Sequence, residues 1–426
     1  MSIVEIVLSI LLSLMFGWTF YNLPAFFVGV KSVKKREKTF EEWSGKVNLD
    51  YFPFFSLIVP MKNEEKVAGR ILDVLLKLNY PPDRYEVIVV DDRSTDGTSK
   101  VCREFESAYP GRMRYFRREI SRGKPSALNY GLKFARGEVI GVFDADNVPD
   151  PHVLLNTAKY FRDYNVVAVQ GLLSSINTDE NMLTKITSYE QIIQHYVLSL
   201  GKDKLGLFVP LAGTCQFVRR DVLENVGGWA EEALCEDTDL SAKLTEKGYY
   251  VKFAPEVKCW QESPSNFSQL IGQRVRWFRG CMEVSVKYGR LLKRVERRSL
   301  DAEAYFFGPF LMLLALGTYF LGLYEVFVPF NLGTYVYVLS QTAFFLTLFT
   351  LSILGVGLAY ATKPRKISNV KWLPFIYLYW SIQVFVALYA FLQIILRRRR
   401  EWTKTSRTGV VTEPKIASLY AERSSR

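Results

Sequence analysis

Two closely spaced pairs of acidic residues follow apolar runs of the chain, where strands of a sheet would end. Asp91 and Asp92 follow one such run, and Asp144 and Asp146 follow another. At the carboxyl edge of a parallel sheet, where ligands bind, two carboxylate pairs repel each other unless a cation lies between them. Mg²⁺ usually binds through one or two carboxylates together with substrate phosphates. The pattern predicts a divalent-cation site beside a phosphate-bearing ligand, the alternative being a pair of solvated acidic turns.

The segment that carries these acids alternates between strand and helix patterns. Its predicted strands are 55–59, 85–90, 113–116 and 139–143. Its predicted helices are 65–78, 96–105 and 124–135. Such alternation predicts an α/β fold with a doubly wound, mostly parallel sheet. The sequence has neither G-x-G-x-x-G nor a Walker lysine motif, which argues against a dinucleotide fold and a P-loop.

Long runs without a charged residue decide the class of protein. They are 6–30, 304–324, 326–362 and 372–396. Because a helix needs about 20 residues to cross the hydrocarbon core, each run is long enough, and we expect an integral membrane protein with transmembrane helices. The first run is predicted to be an uncleaved anchor, because no basic residue precedes it. A basic cluster follows that run: Lys31, Lys34, Lys35, Arg36 and Lys38.

The composition fits a folded protein with membrane flanks. Lys and Arg number 55 against 43 Asp and Glu, a formal net charge of +12, and 15% of the residues are aromatic. The charged fraction of 23% and the aromatic content exclude a disordered chain. The excess positive charge lies beside the uncharged runs, so no nucleic-acid partner is expected. Two His residues, and five Cys residues without a C-x-x-C pair, argue against a zinc site and a disulfide framework.

The charges give conflicting predictions of topology. The basic cluster after the first run places the N-terminus outside, and four crossings would then place the C-terminus outside as well. The basic residues 397–400 and the tail after them are instead typical of a cytosolic segment. Either the last run is re-entrant or interfacial, or the positive-inside rule is overruled there.

Six motifs, in order along the chain, resemble those of one known family. They are 59–65 (VPMKNEE), 90–96 (VDDRSTD), 123–129 (GKPSALN), 144–146 (DAD), 235–239 (CEDTD) and 273–277 (QRVRW). Over about residues 55–282 the chain resembles glycosyltransferase family 2, the inverting GT-A enzymes that use nucleotide sugars. The last motif, Q-x-x-R-W, resembles the membrane-embedded branch that contains cellulose, hyaluronan and poly-N-acetylglucosamine synthases, and glucosylceramide synthases are similar to that branch.

The resemblance implies roles for individual residues on the donor side. Residues expected to bind the donor nucleotide and its diphosphate are Pro60, Lys62, Glu64, Asp91, Asp92, Lys124, Asp144 and Arg276. Asp144 and Asp146 are expected to hold the cofactor, Mg²⁺ or Mn²⁺, which would bridge the phosphates. For Lys124 the alternative is a solvated lysine in the first turn of a helix.

The resemblance also assigns the catalytic base to Asp237. Inversion at a sugar carbon requires a carboxylate on the acceptor side that takes the proton of the attacking hydroxyl. The alternative is that the acids of this motif only stabilise the first turn of a helix over 238–247. Residues expected to line the acceptor side are Gly213, Thr214, Glu236, Gln273 and Trp277.

The Q-x-x-R-W residues share one face of a predicted helix that opens near Ser265. Arg276 can offer its planar guanidinium to a diphosphate, and Trp277 can offer a flat surface to a sugar ring. The alternative is an amphipathic helix on the membrane surface. Both interpretations can hold, because one face can rest on lipid while the other closes the site. Region 189–200 has similar spacing and is a second candidate interfacial helix.

The resemblance implies a membrane glycosyltransferase that adds a sugar, with inversion, to a growing β-linked polysaccharide. The donor is expected to be a nucleotide-diphosphate sugar with uridine as the nucleoside. Alternatives are a single transfer to a membrane lipid and a non-catalytic sugar-binding subunit. We expect a multi-pass protein of the cell membrane with a cytoplasmic catalytic domain. The expected partners, besides donor and acceptor, are the lipid bilayer and either a small membrane subunit or further copies of the chain.

The predicted organisation follows from these assignments. In order, it is an N-terminal transmembrane anchor (1–30), a basic linker (31–52), the nucleotide-sugar-binding half of a GT-A domain (53–165), its acceptor-binding half (166–263), amphipathic interfacial helices with Q-x-x-R-W (264–301), C-terminal transmembrane segments (302–398) and a basic tail (399–426).

Overall fold

The computed structural model describes residues 3–43, 51–327, 333–362, 366–400, 407–413 and 416. Most of the predicted basic tail, and residues 44–50 of the predicted linker, lie outside this set. The described part of the chain forms an α/β domain together with long apolar helices.

One eight-stranded sheet forms the centre of the α/β domain. Its strands are β1 Phe55–Met61, β2 Tyr85–Asp91, β3 Met113–Arg117, β4 Val139–Val142, β5 Val148–Pro149, β6 Ala168–Ser175, β7 Gln216–Arg219 and β8 Val251–Gln261. Their order is β3-β2-β1-β4-β7-β6-β8-β5. Strands β3, β2, β1 and β4 run parallel, as do β6 and β8, while β7 runs antiparallel to both of its neighbours. The predicted fold class, with a mostly parallel sheet, is confirmed.

Helices cover both faces of this sheet and continue into the apolar segments. They are α1 Ile3–Trp43, α2 Glu65–Leu76, α3 Thr98–Ala108, α4 Lys124–Leu132, α5 Val153–Phe161, α6 Met182–Gln191, α7 Ser199–Lys204, α8 Arg220–Asn225, α9 Glu236–Glu246, α10 Phe267–Tyr288, α11 Arg297–Phe327, α12 Thr334–Ala361 and α13 Leu373–Ile395. A π-helical segment, Ile192–Leu198, joins α6 to α7, and short 3₁₀ turns lie at Gly289–Lys293 and Ile367–Trp372.

Alternating apolar residues of the strands build one core on each face of the sheet. On β1, Ile58 packs into one core, while Leu57 and Val59 pack into the other. All three are fully buried, and burying such a side chain contributes roughly 1.5–3 kcal/mol. A strand buried on both faces reads as a continuous apolar run, which is why β1, β2 and β4 were predictable.

Observed elements differ from the predicted ones mainly at their ends. Helix α3 begins at Thr98 instead of Asp96, because the Asp96 carboxylate accepts the Thr98 N–H at 3.1 Å from outside the helix. Helix α10 begins directly after Asn266, whose side chain accepts the Gln269 N–H at 3.0 Å, as an N-cap does.

Four described helices are long and apolar enough to cross a membrane, namely α1, α11, α12 and α13. Helix α1 contacts the α/β domain at glycines, where the two backbones approach closely. A Cβ on Gly29 would lie 2.0 Å from the Val197 carbonyl oxygen, and one on Gly201 would lie 1.8 Å from that of Ala25. Only glycine permits these backbone contacts, so the sequence fixes α1 against α7 and the π-helical segment.

Polar contacts hold the starts of helices α11 and α12 at different places in the molecule. Asp301, near the start of α11, pairs with Lys202 of α7 at 2.9 Å, and both side chains are buried. The Gly333 N–H, at the start of α12, donates to the Glu5 carboxylate near the start of α1 at 2.7 Å. Helix α12 therefore begins far from the α/β domain and runs back toward it.

Helix α13 differs from the others because both of its ends contact the α/β domain. The Trp372 ring, just before α13, lies 6.1 Å from the Tyr189 ring. Just beyond its far end, the Arg279 guanidinium donates to the Arg398 carbonyl oxygen at 2.8 Å. Between these points, two side chains of α13 donate to the Glu190 carboxylate at 3.2 and 3.1 Å. Helix α13 thus contacts the domain at both ends and also packs beside α11, where the Tyr319 hydroxyl donates to the Ser381 hydroxyl at 3.2 Å.

Candidate active site

The loops after β1 and β2 are joined to each other, which places the first predicted donor residues. The Asn63 N–H donates to the Ser94 hydroxyl at 2.9 Å, and the Asn63 amide oxygen accepts the Thr95 N–H at 2.7 Å. Asn63 has φ +54°, a left-handed conformation that Asn tolerates. Pro60, Lys62 and Glu64 flank it, partly exposed, at the carboxyl edge of the sheet.

The Asp91 carboxylate is buried and is hydrogen-bonded to neighbouring residues. It accepts hydrogen bonds from the Ser94 N–H at 2.8 Å, the Ser99 hydroxyl at 2.6 Å and the Tyr115 hydroxyl at 2.7 Å. Burial alone would raise the pKa of Asp91, but the hydrogen bonds from Ser94, Ser99 and Tyr115 outweigh it and lower the pKa. This geometry favours a role in holding the loop; the predicted contact of Asp91 with the donor stays a prediction.

Asp92 organises the segment that leads into α4. Its carboxylate accepts the Ser121 hydroxyl at 2.7 Å and the Gly123 N–H at 2.9 Å, and it pairs with Arg118 at 3.1 Å. Gly123 has φ +85°, which glycine adopts without strain. Because Lys124 is the next residue, Asp92 fixes the start of the helix that carries the predicted diphosphate ligand.

Lys124 joins the donor side of the site to the acceptor side. Its ammonium lies 2.7 Å from Asp144 Oδ1 and 3.1 Å from Glu236 Oε1, and it donates to the Gly213 carbonyl oxygen at 2.9 Å. The ammonium thus forms two ion pairs and one hydrogen bond to a backbone carbonyl oxygen. Burial alone would lower the pKa of Lys124, but the carboxylates of Asp144 and Glu236 raise it well above its ordinary value. The side chain is not a solvated first-turn lysine.

The turn at Gly213 and Thr214 lies between the two sides. A Cβ on Gly213 would lie 3.0 Å from Asp237 Oδ2 and 3.3 Å from Lys124 Nζ, so a larger residue would crowd both groups. Thr214 Oγ1 accepts the Asp144 N–H at 3.0 Å and donates to the Asn147 side chain. The structure therefore places Gly213 beside Asp237 and Lys124, and Thr214 beside the Asp144 backbone and Asn147.

Asp237 lies in the first turn of α9 with the properties of a base. Its Oδ1 accepts the Thr238 N–H at 2.7 Å. Burial and the neighbouring Glu236 carboxylate raise the pKa of Asp237 to about 6, against the opposing effect of Lys124. A carboxylate with such a pKa is ionised at neutral pH, yet binds a proton better than an exposed one.

Helix α10 packs directly against the loop that leads to Asp237. The Cys235 thiol lies 3.5 Å from the Arg276 carbonyl oxygen, and a Cβ on Gly280 would lie 2.4 Å from Cys235 Sγ. Arg276 is close enough to lower the pKa of Asp237. The Arg274 guanidinium lies 4.4 Å from the Trp277 ring centroid.

The observed α10 places the Q-x-x-R-W motif beside the predicted base. Arg276 lies within electrostatic range of Asp237. Gln273 is partly buried on the same helix. Its predicted acceptor role stays a prediction, as does that of Trp277.

Asp144 and Asp146 suit a cation that is completed by substrate oxygens. Burial raises the pKa of Asp146, and the Asp144 carboxylate adds to this while Arg407 opposes it. Among the described residues no group of three or more His, Cys, Asp or Glu is arranged to hold a metal. Each carboxylate is paired with a cation, Asp144 with Lys124 at 2.7 Å and Asp146 with Arg407 at 3.4 Å. Two such carboxylates can hold an ion that takes its remaining ligands from phosphates.

Arg407 and Glu262 are site residues that sequence reasoning missed. The Arg407 guanidinium lies 3.4 Å from Asp146 Oδ2, which also accepts the Glu262 N–H at 2.9 Å. The Glu262 carboxylate accepts the Thr408 and Gly409 N–H groups at 2.9 and 3.1 Å. The tail was predicted only as a basic segment, and no pattern in the sequence ties it to the acidic edge of the sheet.

Apolar packing and backbone hydrogen bonds hold this part of the tail in place. The Thr412 N–H donates to the Ile176 carbonyl oxygen at 3.0 Å. Ile416 is buried with Ile176, Val148 and Val74. The described part of the tail, 407–413 and 416, therefore lies along the edge of the sheet next to the Asp146 carboxylate.

The pKa of Asp237 predicts the acid side of the pH–rate profile. Since the base form is present above about pH 6, activity should fall as the pH drops through that value. Glu236→Gln removes a negative neighbour while keeping the side-chain size, so the fall should move to lower pH. The measurement is kcat/KM for the acceptor across the range from about pH 4.5 to 8. An unchanged profile in Glu236→Gln would contradict the assignment.

A mixed, mostly parallel sheet with acids at its carboxyl edge and membrane-length helices beside it is the architecture of a GT-A-like glycosyltransferase. The chain belongs to glycosyltransferase family 2: a family model described as "Glycosyltransferase like family 2" matches residues 53–280. A solved mannosyltransferase from Pyrobaculum calidifontis, in complex with GDP-mannose and Mn²⁺, has a similar fold. The TM-score is 0.62 at 22% identity, and the match covers 93% of this chain and all of that one.

Three curated relatives are similar to the chain in sequence. "Probable glycosyltransferase YdaM" of Bacillus subtilis is 30% identical over 70% of this chain and 71% of that protein. A beta-monoglucosyldiacylglycerol synthase of Nostoc is 34% identical over 56% of this chain and 51% of that protein. A poly-beta-1,6-N-acetyl-D-glucosamine synthase of Staphylococcus epidermidis is 26% identical over 83% of this chain and 88% of that protein. Relatives of the chain thus act on either polysaccharide or lipid.

Proposed function

We propose that the chain transfers a sugar, with inversion, from a nucleotide-diphosphate sugar to a hydroxyl of a growing β-linked polysaccharide. One observation carries the catalytic part of this proposal. Lys124 contacts Asp144 on the donor side and Glu236 on the acceptor side, at 2.7 and 3.1 Å, beside the buried Asp237. Donor and acceptor groups therefore meet at one point. The same constellation disfavours a non-catalytic subunit, which has no need of a buried base.

The residues of the site divide the reaction between them. Asp237 takes the proton of the acceptor hydroxyl, whose oxygen attacks the anomeric carbon from the side opposite the departing diphosphate. Lys124 and Arg276 offset the negative charge that grows on that diphosphate. A Mg²⁺ or Mn²⁺ ion held by Asp144 and Asp146 would stabilise the same charge as a Lewis acid.

The extent of the sequence matches supports a polysaccharide as the acceptor. The match to the poly-N-acetylglucosamine synthase covers 83% of this chain, more than the α/β domain alone, whereas the match to the glucosyldiacylglycerol synthase covers 56%. The higher identity of the second relative, 34% against 26%, favours the other candidate, a single transfer to a membrane lipid. The nucleoside is proposed to be uridine.

The size of the product separates the two candidates. The purified chain, in sealed lipid vesicles with a labelled uridine-diphosphate sugar, should make a ladder of products that lengthens with time. A β-linked polymer has many hydroxyls, which need a lined path through the membrane. We therefore propose that a small membrane subunit or further copies of the chain complete that path. A single sugar on lipid, unchanged in size over many turnovers, would contradict the polymer assignment.

We further propose that α13, which packs beside α11, does not cross the membrane, and that only α1, α11 and α12 cross. Contacts of Trp372 and Arg398 at the two ends of α13 with the α/β domain support this arrangement. Three crossings from an outside N-terminus place both the catalytic domain and the C-terminus in the cytoplasm, which removes the conflict in the charge pattern. The predicted transmembrane region 302–398 would then include one interfacial helix.

Epitope tags at the two ends of the chain test this topology. In right-side-out vesicles, protease should remove an N-terminal tag and leave a C-terminal tag intact, and inverted vesicles should give the opposite pattern. Removal of both tags from the same side of the membrane would show an even number of crossings and contradict the proposal.

A further inference from the structure

The connection between α10 and α11 exposes apolar side chains where a membrane-length helix begins. Leu291 is buried and anchors the 3₁₀ turn Gly289–Lys293 to the domain. Leu292 is 58% exposed and Val295 is 91% exposed. Both precede Arg297, the first residue of the apolar span in α11. Their exposure is unfavourable in water, so this surface is suited to a lipid boundary.

The same connection carries unpaired positive charge. Lys293, Arg294 and Arg297 are exposed, and none of the three has an acidic partner among the residues that the structure describes. Arg290, one turn earlier, instead forms a bidentate pair with Glu246. The charge of Arg290 is thus neutralised by Glu246, whereas Lys293, Arg294 and Arg297 have no such partner in the described part of the chain.

A second cluster of the same composition follows α13. Ile395 and Leu396 are 58% and 64% exposed, and the next residues, 397–399, are exposed arginines without an acidic partner in the described part of the chain. The Arg279 guanidinium of α10 donates to the carbonyl oxygens of Arg398 and Arg399 at 2.8 and 3.3 Å. The second cluster is therefore fixed to the same helix that leads into the first.

Together the two clusters form what we call the basic collar. Its members are Lys293, Arg294, Arg297, Arg397, Arg398 and Arg399. Cations beside exposed aliphatic side chains at a membrane boundary match a lipid phosphate above acyl chains. A nucleic acid would need aromatic residues for stacking between the cations, and the collar contains none.

We infer that the basic collar binds the phosphate-bearing headgroups of anionic phospholipids in the leaflet that faces the α/β domain. The bound headgroups offset the charge of the collar, while the neighbouring aliphatic side chains rest among the acyl chains. Because both clusters are attached to α10, such lipids hold this helix, and the Q-x-x-R-W motif that it carries, at a set position relative to the membrane.

The test measures lipid binding without any donor sugar, so its outcome is independent of the proposed function. The full chain in detergent is titrated with phosphatidylglycerol or with phosphatidylcholine, and bound lipid is counted by native mass spectrometry. The collar variant is K293Q/R294Q/R297Q. The matched control is K100Q/R103Q/K133Q, which removes the same amount of charge. Lys100 and Arg103 are exposed on α3, and Lys133 is exposed directly after α4. A third titration uses inorganic phosphate as competitor.

Phosphatidylglycerol should bind wild type and control on the order of 100-fold or more tightly than phosphatidylcholine. One cation near a lipid surface changes affinity by about fivefold, so the collar variant should lose on the order of 100-fold for phosphatidylglycerol. Its affinity for phosphatidylcholine should stay unchanged, which also shows that it folds. Equal binding of the two lipids, or equal losses in collar variant and control, would overturn the inference. Competition by millimolar phosphate would assign the collar to free phosphate instead of lipid.

Discussion

Asp237→Asn should lower the rate of sugar transfer by roughly 10²–10⁴-fold, the usual contribution of a positioned base. Asparagine keeps the shape of the side chain and can still accept the Thr238 N–H, which Asp237 accepts at 2.7 Å. It removes only the proton acceptor. Donor affinity should be nearly unchanged, because Asp237 serves the acceptor. Transfer is measured by product formation and donor affinity by calorimetry.

The control for this variant is Asp83→Asn, the same chemical change at an exposed position of the loop before β2. It should transfer sugar at the wild-type rate. If Asp237→Asn also transfers at that rate, Asp237 is not the base. If the variant loses donor binding as severely as transfer, Asp237 belongs to the donor side instead.

Removal of divalent cations should abolish transfer, because the ion proposed at Asp144 and Asp146 would offset the charge that grows on the departing diphosphate. Asp146→Asn should lower donor affinity in the presence of Mn²⁺ to the value that wild type shows with excess chelator. In the wild type, Asp146 Oδ2 accepts the Glu262 N–H at 2.9 Å. The amide of the variant can still accept this N–H, but the amide does not attract a cation. Calorimetry with and without Mn²⁺ measures both affinities.

Asp150→Asn provides the matched control for this second experiment. Asp150 lies just beyond β5, where its carboxylate accepts the His152 N–H at 2.9 Å. The variant should keep the effect of Mn²⁺ on donor affinity. Full turnover of wild type in excess chelator would rule out the cation requirement, whatever the variants do.

Much of the sheet was predictable because its strands are buried on both faces. Residues 55–59 and 85–90 are apolar except for Ser56 and Glu86, and the structure has strands there. The different uses of adjacent acids were not predictable. Asp91 points under the loop to Ser99, while Asp92 points to the segment before α4, because successive side chains of a strand leave on opposite faces.

Contacts between distant parts of the chain could not be predicted from the sequence, because they depend on how separate elements pack. An apolar run of suitable length is equally compatible with a crossing helix and with one that lies along a domain, so the position of α13 depends on its contacts with Glu190 and Arg279. Likewise, the pairing of Arg407 with Asp146 depends on the packing of the tail at Ile416. The acids after β2 and β4, in contrast, lie at one edge of the sheet as predicted, because a parallel sheet brings its strand ends together.

The most direct test of the central claim is release of nucleotide from a panel of nucleotide sugars. The purified chain in lipid nanodiscs is incubated with uridine- and guanosine-diphosphate sugars, Mn²⁺ and acceptor, and nucleotide and glycosylated product are both measured. We expect one uridine-diphosphate sugar to give nucleotide and product in equal amounts, and Asp237→Asn to reduce both. Product whose amount is the same in wild type and Asp237→Asn, or no turnover of any donor in the panel, would contradict the account.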